Sequence, residues 1–191
     1  MFQSIICRVT EYDRQTLESL LELAVEIARE GREGRRIGTL FTFGDEEAVL
    51  AKSRPLILDP LSGHPETSRH LSNPNLRGTV KELAQLDGAF VISHQGVVLS
   101  ACRYLDAVAS QVELPLGLGS RHIAAANMSA VTNAVTVVVS ESSVVRLFCH
   151  GKIVGEIIPE LWMLDRKAQL QGLAKSEQFE DLTVFAQPAS T

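Results

Sequence analysis

The chain of 191 residues contains only three cysteines, Cys7, Cys102 and Cys149, an odd number with no C-x-x-C pair. That spacing suggests neither a disulfide framework nor a cysteine zinc site, and the three read as small buried residues. No apolar run approaches the roughly 18 residues of a membrane span. The N-terminal stretch MFQSIICRVTEYDR offers only a short apolar run with an acidic flank. These absences fit a soluble, cytoplasmic protein without a membrane partner. Cationic excess is missing as well. The formal net charge of −5 argues against a general nucleic-acid binder and leaves room for a local cationic pocket. Three common site signatures are also absent. No G-x-x-x-x-G-K-[ST] occurs, GLGSRH (117–122) puts His122 where a dinucleotide fingerprint needs its third glycine, and Ser120 stands in no G-x-S-x-G elbow. The chain has no internal repeat and no low-complexity tract.

What is present suits one globular domain with a full hydrophobic core: 45% apolar and 21% charged residues. After Asp13, a good N-cap, Leu17, Leu20, Leu21, Ala24, Ile27 and Ala28 recur at helical spacing, and Gly31 provides a stop. IGTLFTFGD (37–45) reads as a strand ending in a turn and RPLILD (54–59) as a short second strand. The Pro, Ser, Gly and His cluster of 60–75 reads as a surface loop. LRGTVKELAQ (76–85) is expected to be helical, with GAFVIS (88–93) and GVVLSAC (96–102) forming a hairpin about His94 and Gln95. After a long connection (107–119) a helix runs from Ser120 to about Asn133. VTVVVS (135–140) is continuously apolar, the mark of a strand covered on both faces, and VVRLFC with KIVGEII makes a hairpin around His150 and Gly151. Pro159 starts a last helix (160–172), and 173–191 carries no usable pattern. The sum is an α/β fold, a central mixed β-sheet flanked by helices.

Two helix ends conflict with their dipoles. Ser120 reads as an N-cap with Gly119 before it, so the N–H groups of residues 121–123 would form an anion site. Arg121 and His122 stand in that first turn, where positive charge is disfavoured unless a bound phosphate reverses the sign. The plain alternative is a solvated arginine and a core-edge histidine. At LAQLDGAF, Asp87 follows a helix near its negative pole, where a divalent cation would compensate it. Gly88 and Ala89 beside it would let a nucleotide approach the backbone. The alternative there is an ordinary Asp-Gly turn. Ser140 and Glu141 end the buried strand, where a hydroxyl and a carboxylate can address phosphate and metal or simply close a turn. A cluster of Asp59, His64 and His70 is a further metal candidate, though without a recognised spacing. REGREGRRIG (29–38) carries both signs of charge and reads as a solvated helix end and turn.

DGA at 87–89, GSRHIAA at 119–125 and VTVVVSE at 135–141 occur in the order of the diadenylate cyclase domain family, which the chain resembles over roughly residues 35–158. EGREGRRIGTLF resembles its soluble archaeal-type branch. The resemblance implies a catalytic domain at 35–158, between an N-terminal helical segment (1–34) and a C-terminal helix and tail (159–191). It implies condensation of two ATP into cyclic di-AMP with release of two pyrophosphates, using Mn²⁺ or Mg²⁺. The reaction would run between two facing subunits of a homodimer or higher homo-oligomer. Carried over by position, Asp87, Arg121 and His122 are the catalytic candidates, and Asp87 and Glu141 the metal ligands. Gly88, Ala89, Gly119, Ser120, Arg121, His122, Ser140 and Glu141 line the nucleotide, with Tyr104 and Leu105 against the adenine. The family motif usually reads GTRHRAA. Here Ser120 replaces its Thr, Ile123 replaces a second Arg, Ser142 stands where a second acid often follows Glu141, and Arg103 shifts the spacing before Tyr104. A non-catalytic nucleotide-binding or sensor protein of the same fold is the alternative. A hydrolase using the loop histidines is a third, and would need metal at Asp59, His64 and His70. The apolar faces of the first helix and of the segment after Pro159 are the candidate oligomer contacts.

Overall fold

Asp13 caps the first helix: its carboxylate accepts from the Thr16 amide at 2.8 Å and the Thr16 hydroxyl at 2.7 Å. The chain then runs helically over Arg14–Glu30 (α1) and stops at Gly31. The computed structural model describes residues 13–109, 112, 114–170, 175–179 and 182–186, with side chains as far as residue 164. Cys7 lies outside the described residues. The elements that follow are β1 (Thr39–Phe43), α2 (Glu46–Ala51), β2 (Ser53–Pro55), α3 (Pro74–Leu83), β3 (Ala89–Ile92) and β4 (Val98–Leu105). Next come α4 (Ser120–Val131), β5 (Val135–Val139), β6 (Val145–Cys149), β7 (Lys152–Ile157) and α5 (Pro159–Leu170). A separate antiparallel pair, β8 (Lys175–Phe179) and β9 (Leu182–Ala186), closes the series.

Seven strands form one sheet in the order β2-β4-β3-β1-β5-β6-β7. Only β1 and β3 are parallel; every other neighbouring pair is antiparallel, so the sheet is mixed. β1, β3 and β5 are buried at every position, as expected of central strands covered on both faces. Alternation along them feeds two cores. Phe41, Phe43, Phe90, Val137 and Val139 pack with the apolar stripe of α1 and with Leu76 and Val80 of α3. Leu40, Ala89, Val91, Val138 and Phe148 pack with Val49 of α2 and with Ala125, Ala126 and Met128 of α4. The result is three layers, helices on both sides of a sheet. Cys102 and Cys149 are free and buried, and burial, then Asp59, pushes the Cys102 thiol up.

Several expectations are corrected. The strand expected over RPLILD ends at Pro55, which lacks an N–H and sits on the edge strand where proline is tolerated; Leu58 beyond it is 94% exposed. The helix α2 has only six residues, too few for a periodic signal, and was not foreseen. The pair β8–β9 occupies a stretch that carried no usable pattern. The apolar face of α1, a candidate oligomer contact, is consumed internally: Leu17, Leu20, Leu21, Ala24, Ile27 and Ala28 are all buried in the core. Trp162 of α5 packs against that same core, while Leu161 and Leu164 remain partly exposed.

The Phe41 ring lies 5.1 Å from that of Phe90, centroid to centroid, and is fully buried. Phe41→Ala is expected to cost about 3–5 kcal/mol in denaturant unfolding. A loss under about 1 kcal/mol, the range of a tolerated repacking, would contradict its place at the centre of the core.

Candidate functional site

The sheet register gathers the candidate residues at one end of the molecule. Thr39 pairs with Val139, so Gly38, just before β1, lies opposite Ser140, just after β5. Leu40 pairs with Ala89, which brings Asp87 and Gly88 to the same end. The site therefore sits at the amino ends of the parallel pair and the carboxyl end of the antiparallel β5. α4 also begins here. Its N-cap is Gly119, which has no side chain to cap with, rather than Ser120, which is the first helical residue. Of the amides expected to be free, those of His122 and Ile123 bond to the Gly119 carbonyl at 3.0 and 3.3 Å. The N–H groups of Ser120 and Arg121 have no backbone partner among the described residues.

Arg121 is held between two carboxylates. Its Nη2 lies 3.4 Å from Asp87 Oδ1 and its Nη1 3.4 Å from Glu141 Oε1. Two anions thus offset a cation that the helix dipole disfavours. Asp87 and Glu141 are themselves largely solvent-facing, with 90% and 69% of their side-chain surfaces exposed, so both can change partner. Sequence reasoning missed what makes room for this arrangement. A Cβ on Gly38 would lie 2.9 Å from Arg121 Nη1 and 3.3 Å from Glu141 Cγ. A glycine opening a strand is a recognised signal of close approach, and it could have been read from the sequence.

A cleft of about 360 Å³ is lined by 117–122, 138–142 and Arg146. Gly119, Ser120, Arg121, His122, Ser140 and Glu141 share it. Ser140 accepts from the Ser142 amide at 3.2 Å and shares a hydroxyl contact of 2.8 Å with Ser142, which shapes the turn after β5. His122 is 6% exposed, and its Nε2 lies 3.3 Å from Arg146 Nη1. Burial, then the Arg146 guanidinium, pushes the His122 imidazole below its usual range. A neutral ring accepting from Arg146 at Nε2 carries its proton on Nδ1, which is buried and has no partner among the described residues. Arg146 also pairs with Glu156 across the β6–β7 ladder. Neither Arg146 nor Glu156 was singled out from sequence, although an arginine inside VVRLFC is a visible break in an apolar strand.

Other candidates do not line the cleft. Gly88, with φ +106, presses against the β4 backbone: a Cβ there would stand 2.6 Å from the Cys102 carbonyl carbon. Ala89 is buried in the core under α4. Tyr104 and Leu105, neighbours on β4, face opposite sides of the sheet. Leu105 is buried in the α4-side core, whereas Tyr104 is half exposed with the Arg54 guanidinium 4.7 Å from its ring centroid. Asp59, His64 and His70 do not assemble. Asp59 accepts from the amides of Leu61 at 2.9 Å and Ala101 at 3.3 Å, and the His70 nitrogens contact Ser72 Oγ at 2.7 Å and the Gln95 carbonyl at 2.8 Å. No group of three metal-ligating side chains gathers among the described residues, which removes the basis of the loop-histidine hydrolase.

Two measurements test this geometry. Gly38→Ala is expected to leave thermal stability nearly unchanged, because the atom it meets is the end of a flexible side chain, and to displace Arg121 from Glu141 in a crystal structure. An unmoved guanidinium would contradict the crowding. For His122 the unfolded state has the higher pKa, about 6.5. Below that pH the unfolded chain takes up a proton first, so stability falls as pH drops from about 6.5 towards the lower folded value. His122→Gln is expected to flatten this part of a Tm-against-pH profile, and an unchanged slope would contradict a buried neutral ring.

Residues 26–153 match the DAC family model, described as DisA bacterial checkpoint controller nucleotide-binding. A curated relative from Methanocaldococcus jannaschii, named Diadenylate cyclase, is 47% identical over 150 residues, covering 78% of this chain and 47% of that protein. Another of the same name from Haloferax volcanii is 40% identical over 151 residues, covering 78% and 55%. The chain spans about half the length of these curated relatives. Among solved structures, a hypothetical membrane spanning protein from Bacillus cereus superposes with a TM-score of 0.55 at 19% identity, over 75% of this chain and 64% of that one. A double cysteine mutant of DacA from Staphylococcus aureus gives 0.50 at 22% identity, over 81% and 94%. These two likenesses show the fold. Among the described residues of this chain no helix is long and apolar enough to cross a membrane. With the family model covering most of the chain and the sheet, cleft and motifs in place, the chain belongs to the DAC nucleotide-binding family.

Proposed function

We propose that this chain is a diadenylate cyclase domain, condensing two ATP molecules into cyclic di-AMP with release of two pyrophosphates. One feature carries the assignment: the Arg121 guanidinium, beside the free amides of α4, is shared by Asp87 and Glu141 at the edge of the cleft. A polyphosphate is a stronger partner for that guanidinium than two solvated carboxylates, and helix amides add to its hold. Its arrival would release both carboxylates. The shared name of the two curated relatives supports the same chemistry.

In each half-reaction the 3′-oxygen of one ATP attacks the α-phosphorus of the other. An O–P bond forms, the bond to the β-phosphate bridging oxygen breaks, pyrophosphate leaves, and the hydroxyl proton passes to a base. Positioning and charge neutralisation supply most of the rate. Arg121 and the amides of Ser120 and Arg121 would hold the departing pyrophosphate, with Gly119 and Ser140 shaping the cleft around it and His122 orienting the first turn from beneath. Asp87 would prepare the 3′-hydroxyl, its place at the sheet end set by Gly88 and Ala89. Only Tyr104 of the Tyr-Leu pair would offer a ring face to adenine.

The donor set fits Mn²⁺ or Mg²⁺. Asp87 and Glu141 are hard oxygen ligands, and two carboxylates suit an ion that takes its remaining ligands from phosphate and water. Such an ion, when bound, neutralises phosphate charge and makes a bound hydroxyl more acidic. With one ATP taken per cleft, the smallest active species would be a homodimer with its two sites opposed, which higher homo-oligomers can contain. ATP as substrate fits a cytoplasmic setting.

The protein should be incubated with ATP and Mn²⁺ or Mg²⁺ at several protein concentrations, and the products resolved by chromatography with mass detection. Cyclic di-AMP is expected to require metal, to rise more than linearly with protein, and to fall by roughly a hundredfold or more in Asp87→Asn. ATP binding without product under either metal would overturn the cyclase assignment and leave a nucleotide-binding sensor.

A further inference from the structure

Arg146 stands where an arginine needs a reason. Its neighbours on β6, Val145, Leu147 and Phe148, are fully buried, and strand alternation puts Arg146 with Phe148 on the α4 side of the sheet. There its side chain, 16% exposed, lines the cleft close to the N-terminus of α4. A half-buried cation beside the positive end of a helix is costly unless it is held and compensated.

It is held on two sides. Glu156, its register partner on β7, takes Nε, and Nη1 lies 3.3 Å from His122 Nε2. Nη2 has no partner among the described residues. A guanidinium fixed at two nitrogens with the third left over loses little freedom when a ligand arrives. A purely structural role explains this poorly, because an apolar pair of similar size would pack at least as well as a half-buried ion pair. The two cleft arginines also differ. Arg121 is 37% exposed and shared by two carboxylates, whereas Arg146 is deeper and compensated by one. Both guanidinium groups line the one cleft, so an anion bound in it can reach both.

Resting on the reading of the cleft as the nucleotide site, we propose that Arg146 is a second phosphate-binding guanidinium, oriented by Glu156, that grips the polyphosphate of ATP from deep in the cleft. Its partner is chemically defined as a chain of phosphates, with the nucleoside contacted elsewhere.

The test is calorimetric titration of the full chain with Mg²⁺ and three probes: α,β-methylene-ATP, which cannot release pyrophosphate, inorganic tripolyphosphate, and adenosine. Arg146→Met is expected to weaken the first two by a similar factor, roughly tenfold or more, and to leave adenosine unchanged. Arg146→Lys should recover part of the loss, since it restores the charge without the planar fork. Glu156→Gln should give a smaller loss by loosening the guanidinium. Unchanged tripolyphosphate affinity in Arg146→Met would overturn the proposal. So would an equal loss for all three probes accompanied by a lowered Tm, which marks a structural residue. If the methionine variant does not fold, Arg146→Lys decides, and it must weaken tripolyphosphate more than adenosine. A wild-type chain that binds none of the probes would overturn the nucleotide-site reading, and this proposal with it.

Discussion

A positive side chain at the positive end of a helix has to be held there by something, and in this protein the holder is a pair of carboxylates from two other parts of the chain. Arg121 reaches Asp87 before β3 and Glu141 after β5. The contact is possible only because the sheet places the start of β3 and the end of β5 on either side of β1, and because Gly38 at the head of β1 has no side chain. Strand order, one glycine and one helix start therefore converge on a single guanidinium. The exposed pairing is weak in water, as the proposed displacement by a ligand requires.

Deeper in the cleft the electrostatics change character. His122 is buried with its imidazole pushed below its usual range, Arg146 is fixed between it and Glu156, and the central strand β5 is buried at every position. The outer layer of the site is thus solvent-exposed and the inner layer buried and multiply held. Under the proposed cyclase reading, that division would let substrate enter and product leave while the inner groups stay in place.

Much of this was legible locally. The stripe of α1, the valine-rich run of β5 and the two hairpins follow from apolar spacing and turn residues, which act over a few positions. DGA, GSRH and Ser140-Glu141 stood out because each conflicts with its local dipole or ends a buried strand, and the structure gathers them at one end. Other features depended on information that is not local. Nothing in TLFTF says that β1 lies between a parallel and an antiparallel neighbour. Six residues of α2 are too few to show a period. Ser120 has the side chain of an N-cap, but the backbone of Gly119 takes that place. Leu105 and Tyr104 are adjacent in sequence and yet point to opposite faces. Arg146 acquires meaning only when β6 is laid beneath the first turn of α4.

The most direct test of the account is a crystal structure of the protein with α,β-methylene-ATP and Mn²⁺, using the anomalous signal of manganese. The account predicts Mn²⁺ coordinated by Asp87 and Glu141, with the Arg121 guanidinium moved from them onto phosphate oxygens. An Arg121 still paired with both carboxylates, and manganese or nucleotide bound away from the cleft, would contradict it.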